Sequence, residues 1–426
     1  MSTRGGRRPG GPKRRPPRRG GVMGRRPTQK ERTRRTFIRL VILVAVALML
    51  WFNAERIHVA YLSALVLAES GTPLESGPAE VRLPDPVVAD VRYEGAGRTI
   101  DATLYLPSEG EPPYPGLVVN HGVAAGGRDD ARLTNFADAM ARAGFAVLAP
   151  DFVNLRGFQV RLSDVDELVA SFEYLASRED VDERRVGMFG LSYAGGLALL
   201  AAADERINKD VAFLFLLGAY YDLRHIVTYM TTGYHREDGE WVYLEPRNAG
   251  RWGFLLNSVG LVETESDREP LRRIAERRYE APDADVSDLV PKLSEEGRLI
   301  VDLMTNDDPE RALELTGRLN PRIRRYLDML SPAGTLDRVR ARLIIGHGYD
   351  DDMMPYTESV LIAENAPPQA EVHLELLESF QHVDLTIGGG KGLLGFFRSL
   401  PELWRLFSIT YDLLETGLLP NACVTA

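Results

Sequence analysis

The segment Arg185-Val-Gly-Met-Phe-Gly-Leu-Ser-Tyr-Ala-Gly-Gly, ending at Gly196, constrains the fold more than any other stretch of this chain. An apolar run of strand character leads into Ser192, which is hemmed in by Gly190, Ala194, Gly195 and Gly196, and a helical run rich in alanine and leucine follows. A serine on so sharp a strand-to-helix turn is held in a strained backbone conformation. The positions two before it and two or more after it must therefore be nearly without side chains. Two readings fit the local sequence: a helix N-cap, or a serine held out for nucleophilic attack. The second requires a base, an orienting acid and oxyanion donors at fixed places elsewhere in the chain.

Each of those places has an occupant. Tyr114-Pro-Gly-Leu-Val-Val-Asn-His-Gly-Val-Ala-Ala-Gly-Gly, ending at Gly127, reads as a buried parallel strand that breaks at His121-Gly122 into a glycine-rich turn. There the backbone N–H of Val123 can stand beside that of Tyr193 as a pair of oxyanion donors; the other reading is an ordinary strand-to-helix turn. His121 itself reads as structural. Ala341-Arg-Leu-Ile-Ile-Gly-His-Gly-Tyr-Asp-Asp-Asp-Met-Met-Pro, ending at Pro355, is again a buried strand with a loop behind it. Asp351, three residues past Gly348 and four before Pro355, is the acid selected from that loop, with Asp350 and Asp352 read as solvated or as caps of the next helix. Asp222, just after the preceding core strand, is its distant rival. The base is His382, on the loop that follows the strand Glu371-Val-His-Leu-Glu-Leu-Leu. The resulting order is Ser, Asp, His.

Apolar runs at 114–119, 146–150, 185–189, 211–217, 342–346 and 371–377 read as strands, with helical stretches between them at Asp129–Ala143, Asp164–Arg178 and Tyr193–Ala203. Such alternation predicts an α/β fold with a doubly wound, mostly parallel sheet covered on both faces, and Val87 to Tyr105 reads as an antiparallel lead-in to it. The stretch from 221 to 338 is too long for a loop and is expected to be an inserted helical cap. Its aromatic residues, Tyr229, Tyr234, Trp241, Tyr243, Trp252 and Phe254, either line a substrate pocket or form the core of the insert. Leu394 to Leu414 reads as the last helix packing on the sheet.

On these motifs the chain resembles the α/β-hydrolase family over roughly residues 86 to 415, most closely its dienelactone-hydrolase-like and prolyl-oligopeptidase-like members. His121-Gly122 resembles the family's oxyanion turn, Gly190-Leu-Ser192-Tyr-Ala194-Gly195 its nucleophile elbow, and His347 to Pro355 its acid loop. Ala194 stands where a second glycine is commonest. The resemblance implies a serine hydrolase with a Ser192, His382 and Asp351 triad, acting on a small-molecule or lipid-like ester through an acyl-enzyme. A peptidase of prolyl-oligopeptidase type is the chemical alternative, and a binding protein that has lost its chemistry is the other. No propeller precedes the domain. The scheme needs no cofactor and no metal, and no His, Cys and Asp cluster has metal-ligand spacing. The phosphate-cradling glycine pattern is absent, so nucleotide binding is not expected.

The N-terminus is of another kind. Residues 1 to 39 hold 15 Lys or Arg against the single acid Glu31, so they cannot build a core. The formal charge of −10 thus hides a remainder with 36 basic and 60 acidic residues, a net of −24. An apolar run from Phe37 to Ala54 follows the basic tail, with Arg39 placed to snorkel, and basic residues on one side of such a run hold that side in the cytoplasm. The reading is a single-pass anchor with the catalytic domain outside. The alternatives are export by a cleaved signal, since Thr33-Arg-Arg-Thr-Phe-Ile-Arg39 resembles a twin-arginine motif, and a cytosolic protein. No nucleic-acid partner is expected. The chain therefore divides into a basic tail at 1–36, the membrane segment at 37–54, a juxtamembrane segment and linker at 55–85, and the hydrolase domain at 86–426. Its one cysteine, Cys423, excludes an intrachain disulfide.

Overall fold

The computed structural model describes residues 38–39, 42–43, 49–69, 83–157, 159–378, 380–381, 384–385 and 393–419. Its chain divides into two compact units, Met1–Ala54 and Glu55–Ala426. In the first unit the described residues 38–39, 42–43 and 49–52 are helical, and Ile38, Ile42, Leu43, Met49, Leu50, Trp51 and Phe52 are all exposed. Among the described residues no helix is long and apolar enough to cross a membrane. Positions 37, 40, 41 and 44–48 of the expected anchor lie outside them.

Among the described residues the second unit holds twelve strands: β1 (Val87–Gly95), β2 (Arg98–Leu106), β3 (Tyr114–Asn120), β4 (Ala146–Pro150), β5 (Val181–Leu191), β6 (Phe213–Leu217), β7 (Tyr234–Glu237), β8 (Glu240–Tyr243), β9 (Arg342–Gly348), β10 (Val372–Leu377), and the two-residue pair β11 (Phe380–Gln381) and β12 (Asp384–Leu385). Eight of them form one sheet in the order β1-β2-β4-β3-β5-β6-β9-β10, and β7-β8 is a separate hairpin. β1 and β2 pair antiparallel, as do β2 and β4, and the pairs from β4 through to β10 are parallel. The central strands are buried along nearly their whole length, as a sheet covered on both faces requires. Neighbouring residues divide between the two faces. Val118, Leu214, Leu216, Leu343 and Ile345 belong to one core, and Leu117, Val119, Phe213, Phe215 and Ile344 to the other.

Among the described residues thirteen helices accompany the sheet: α1 (Ala54–Glu69), α2 (Ala131–Arg142), α3 (Val153–Arg156), α4 (Leu162–Ala176), α5 (Tyr193–Ala202), α6 (Leu223–Thr232), α7 (Asn248–Ser258), α8 (Glu265–Glu280), α9 (Glu295–Thr305), α10 (Pro309–Arg318), α11 (Pro321–Met329), α12 (Thr357–Asn365) and α13 (Leu393–Leu418). Residues of α4 and α5 fill the first core together with much of α6 to α11, while α1, α2 and α13 fill the second. The stretch between β6 and β9 is thus a helical insertion whose core is continuous with that of the sheet. Within the insertion α10 and α11 are separate helices, because Pro321 starts a new one under the cap of Asn320, whose side chain accepts from the Ile323 N–H at 2.8 Å. The insert's aromatics divide. Tyr229 and Trp252 are core, whereas Tyr243 is 56% exposed and Trp241 lies under the Arg236 guanidinium at 4.2 Å.

Several boundaries differ from the sequence reading, among them those of β5, which runs over Val181–Leu191 rather than 185–189, and of β9, which ends at Gly348 rather than at 346. β6 begins at Phe213 rather than at 211. Residues 55 to 69, read as juxtamembrane, form α1. They bury Val59, Leu62, Val66 and Leu67 in the second core, because that helix carries apolar residues at the spacing of a packed face.

Candidate active site

Ser192 follows β5 directly and has φ 58° and ψ −129°, a left-handed conformation rare for any residue with a Cβ. It holds the N-cap position of α5, but its side chain makes no capping hydrogen bond. The helix-cap reading of the motif therefore lacks its defining contact. The turn is fixed by exclusion. A Cβ on Gly190 would lie 2.5 Å from the Ala194 carbonyl oxygen, one on Gly195 would lie 2.7 Å from Ala219 Cβ, and one on Gly196 would fall on the Tyr220 ring. That ring cannot retreat easily, since the Tyr220 hydroxyl donates to the Leu330 carbonyl at 2.8 Å and Tyr193 packs against it at 5.6 Å. Ala194 is fully buried with its single methyl accommodated.

The turn after β3 comes against this elbow. A Cβ on Gly122 would meet the Leu191 carbonyl oxygen at 3.3 Å and Ser192 Cβ at 3.9 Å, so Gly122 lies directly against the elbow. His121 is buried under the turn. Its Nε2 accepts from the Phe152 N–H at 3.2 Å and its Nδ1 lies 2.9 Å from the Gly122 carbonyl, an arrangement for a neutral ring with the proton on Nδ1. Burial lowers the imidazole below its ordinary range, against the opposing pull of the Gly122 carbonyl. Its work is to shape the turn.

The backbone carries the same edge across to the acid loop. Ser192 N–H donates to the Leu217 carbonyl at 2.8 Å, and Gly218 N–H to the Gly346 carbonyl at 3.0 Å, so the ends of β5, β6 and β9 stand in one row. Beyond β9 the three aspartates part company. Asp350 is exposed, and Asp352 is drawn to Arg247, whose Nε donates to its carboxylate at 3.0 Å and whose backbone N–H donates to its carbonyl at 2.8 Å. Asp352 is thus partly exposed and does not cap α12, whose N-cap is Tyr356. Asp351 is fully buried, and its Oδ1 accepts from the Met353 and Met354 N–H groups, each at 2.9 Å. The Tyr229 hydroxyl donates to the Asp351 carbonyl at 3.3 Å. Asp222, the distant rival, is committed elsewhere: it caps α6 through the Arg224 N–H at 2.8 Å and accepts from the Ser331 hydroxyl at 3.2 Å.

His347 stands nearest to Asp351 among the described imidazoles, with Nε2 3.5 Å from Oδ2, but both of its nitrogens are engaged, by the Met354 carbonyl at 2.9 Å and the Ser359 hydroxyl at 2.6 Å. It closes the acid loop on itself. His225 pairs with the buried Glu358 at 3.0 Å; burial acts to lower that imidazole, yet the hydrogen bond and charge of Glu358 outweigh it and raise it. His235 meets Thr357 at 3.2 Å, and His373 meets Asp412 at 2.9 Å. The expected base, His382, lies outside the described residues, as does Cys423. Among the described residues no group of three or more His, Cys, Asp or Glu side chains is placed to hold a metal ion. What the sequence reading missed is the brace formed by Tyr229 and Arg247. A Cβ on Gly250 in α7 would meet Met353 Sδ at 3.1 Å, so the insertion also packs on the acid loop itself.

A family profile described as X-Pro dipeptidyl-peptidase (S15 family) matches residues 96–376, a span that contains Gly122, Ser192 and Asp351 and ends before His382. Over 123 residues the chain is 32% identical to the quorum-quenching protein AidA of Acinetobacter baumannii (strain MDR-ZJ06), an alignment covering 27% of this chain and 40% of that protein. The chain spans about two fifths of the length of the curated relatives it matches. Among solved structures it is similar to a 2,6-dihydroxy-pseudo-oxynicotine hydrolase, with 16% identity, a TM-score of 0.43 and coverage of 78% of this chain and 69% of that one. It is also similar to Est1E from Butyrivibrio proteoclasticus, with 15% identity, a TM-score of 0.40 and coverage of 77% and 98%.

Proposed function

The chain belongs to the X-Pro dipeptidyl-peptidase (S15) family, and from that premise we propose that it is a serine hydrolase that cleaves carboxylic esters, small or lipid-like, through an acyl-enzyme on Ser192. The observation that carries the reading is the backbone of Ser192, strained at φ 58° and free of any capping duty at the carboxyl edge of the sheet. In this mechanism Ser192 Oγ bonds to the acyl carbon while its proton passes to His382. The N–H groups of Val123 and Tyr193 hold the oxyanion, and His382 returns the proton to the departing alkoxide. Water, deprotonated by the same imidazole, then attacks the acyl carbon, releasing the acid and restoring Ser192. Asp351, buried and held by two backbone donors, keeps the imidazole in the required tautomer. The engagement of His121, His225, His235, His347 and His373 in other contacts supports assigning the base to His382.

Cleavage of peptide amides after proline is the second reading, and the family membership favours it. We further propose that residues 37–54 anchor the chain in a membrane with the basic tail in the cytoplasm; the 15 cationic residues of positions 1 to 39 support this orientation. Export by a cleaved signal is the alternative. A fluorophosphonate is expected to label the parent protein and not Ser192→Ala, with ester turnover falling by a factor on the order of a million. A panel of p-nitrophenyl esters of graded acyl length, run beside X-Pro anilides, separates the two substrate classes: anilide turnover exceeding that of every ester would replace the esterase reading by the peptidase one. Labelling that persists in Ser192→Ala would overturn the assignment of the nucleophile.

A further inference from the structure

Two helices of the domain stay apolar on the side turned away from the core. α1 buries Val59, Leu62, Val66 and Leu67, yet Ile57, Tyr61 and Ala64 on its other side face outward, with Ile57 48% and Tyr61 46% exposed. A helix that is apolar all round is one covered on both sides. In α13, Leu406, Ile409 and Leu413 face the core, while Leu400 and Trp404 lie exposed on the opposite face at helical spacing, Trp404 68% exposed, and Phe407 and Tyr411 continue that row half-buried against the edge of the second core. Their rings form a row, Trp404 against Phe407 at 5.7 Å and Phe407 against Tyr411 at 6.0 Å. The row reaches the first turn of α1, because the Tyr411 hydroxyl donates to Glu415 at 3.0 Å and Glu415 pairs with Arg56 at 3.5 Å.

We propose that this joined face docks the domain on the surface of a lipid bilayer, with Ile57, Tyr61, Leu400 and Trp404 entering the headgroup region. The inference rests on the anchor reading of residues 37–54. Ile57 follows that run by three residues, so a bilayer that holds the run lies within reach of α1. Tyrosine and tryptophan suit the headgroup level because each ring carries an apolar body and a polar edge. Charge is not the attraction. Arg56 is neutralised by Glu415, Arg405 by Glu378 and Glu402, and the chain beyond residue 39 is strongly acidic. Insertion of apolar rings therefore drives docking, and it should proceed on zwitterionic lipid. A second copy of the chain is the other possible cover, and the position of α1 directly after the apolar run favours lipid.

The full chain, with Cys423→Ser and a single cysteine introduced by Ile57→Cys, Trp404→Cys or Lys209→Cys, is labelled with an environment-sensitive fluorophore and placed in phosphatidylcholine nanodiscs. Lys209 is an exposed residue before the amino end of β6 and serves as the reference. At positions 57 and 404 emission should shift to the blue and iodide quenching should fall several-fold relative to position 209, unchanged by added phosphatidylserine or salt. Equal quenching at all three positions, in a chain that resists carbonate extraction from membranes, overturns docking and leaves the anchor standing. Release of the chain by carbonate overturns both. Protection seen in discs holding two chains but not in discs holding one identifies a second copy as the cover and overturns the lipid.

Discussion

The elbow and the acid loop stand on the same edge of one sheet, two strands apart, and opposite means hold them in place. The elbow is made by close packing: Gly190 against Ala194, Gly195 against Ala219 and Gly196 against Tyr220 leave no room for a Cβ, and the strand and helix on either side dictate the turn. The acid loop depends on distant chain. Tyr229 and Arg247 reach it from an insertion about a hundred residues earlier, and His347 and Ser359 close it from beneath. A site fixed by local sterics fails when atoms are added, and a site fixed by remote partners fails when contacts are taken away.

The sharpest break in that contrast is Asp351→Asn, which removes the buried carboxylate while keeping the shape of the loop. It should lower kcat by roughly ten-thousandfold, because the amide favours the wrong imidazole tautomer, whereas Asp350→Asn, at an exposed position, should leave kcat near the parent value. A full loss of activity in Asp350→Asn with Asp351→Asn still active would move the acid by one residue. On the elbow, Gly196→Ala places a methyl on the Tyr220 ring. It should destabilise the fold by about 3 kcal/mol, the upper range for overpacking, read as a lowered urea midpoint; an unchanged midpoint would show that Tyr220 gives way. For the loop, Arg247→Met keeps the apolar stem and removes the donors to Asp352. Displacing a catalytic group slightly from a distance costs up to about a hundredfold, so kcat should drop by about tenfold or more with KM and the urea midpoint little changed. A rise in KM alone would make Arg247 a substrate contact and not a brace.

The smallest effects distinguish the two regions by sign. Below the elbow, the lowered His121 is stabilising when neutral. Its contribution is present above the unfolded histidine value of about 6.5 and is lost as pH falls through the lowered folded value. Beside the acid loop, the raised His225 is stabilising when charged. Its contribution is present below about 6.5 and is lost as pH rises through the raised folded value. Urea midpoints followed against pH should therefore flatten on the acid side in His121→Gln and on the neutral to alkaline side in His225→Gln. A profile of His225→Gln that matches the parent across neutrality would mean that the Glu358 pairing contributes nothing.

The same division explains what the sequence discloses. The six core strands and the placement of Ser192 and Asp351 at strand ends are legible because buried parallel strands are continuous apolar runs, and because a sharp turn leaves its glycines on the page. The brace from Tyr229 and Arg247 is not legible, since nothing in the local composition of an insertion tells which strand end it will touch. α1 shows a related limit: an apolar helix next to an apolar run reads as juxtamembrane, and its local sequence does not tell that Val59, Leu62 and Val66 pack in the domain core. A soluble form of the domain therefore has to begin near residue 55 and keep α1.

Ser192 holds a backbone conformation that costs on the order of 1–3 kcal/mol, and glycine is the residue that would relieve it. A descendant of this chain released from catalysis would gain stability by exchanging that serine, so neutral drift at position 192 runs towards glycine. The hydrogen bond from the residue's own N–H to the Leu217 carbonyl helps hold the backbone in that unfavourable place, and glycine would make it as well, so the strain serves the side chain alone.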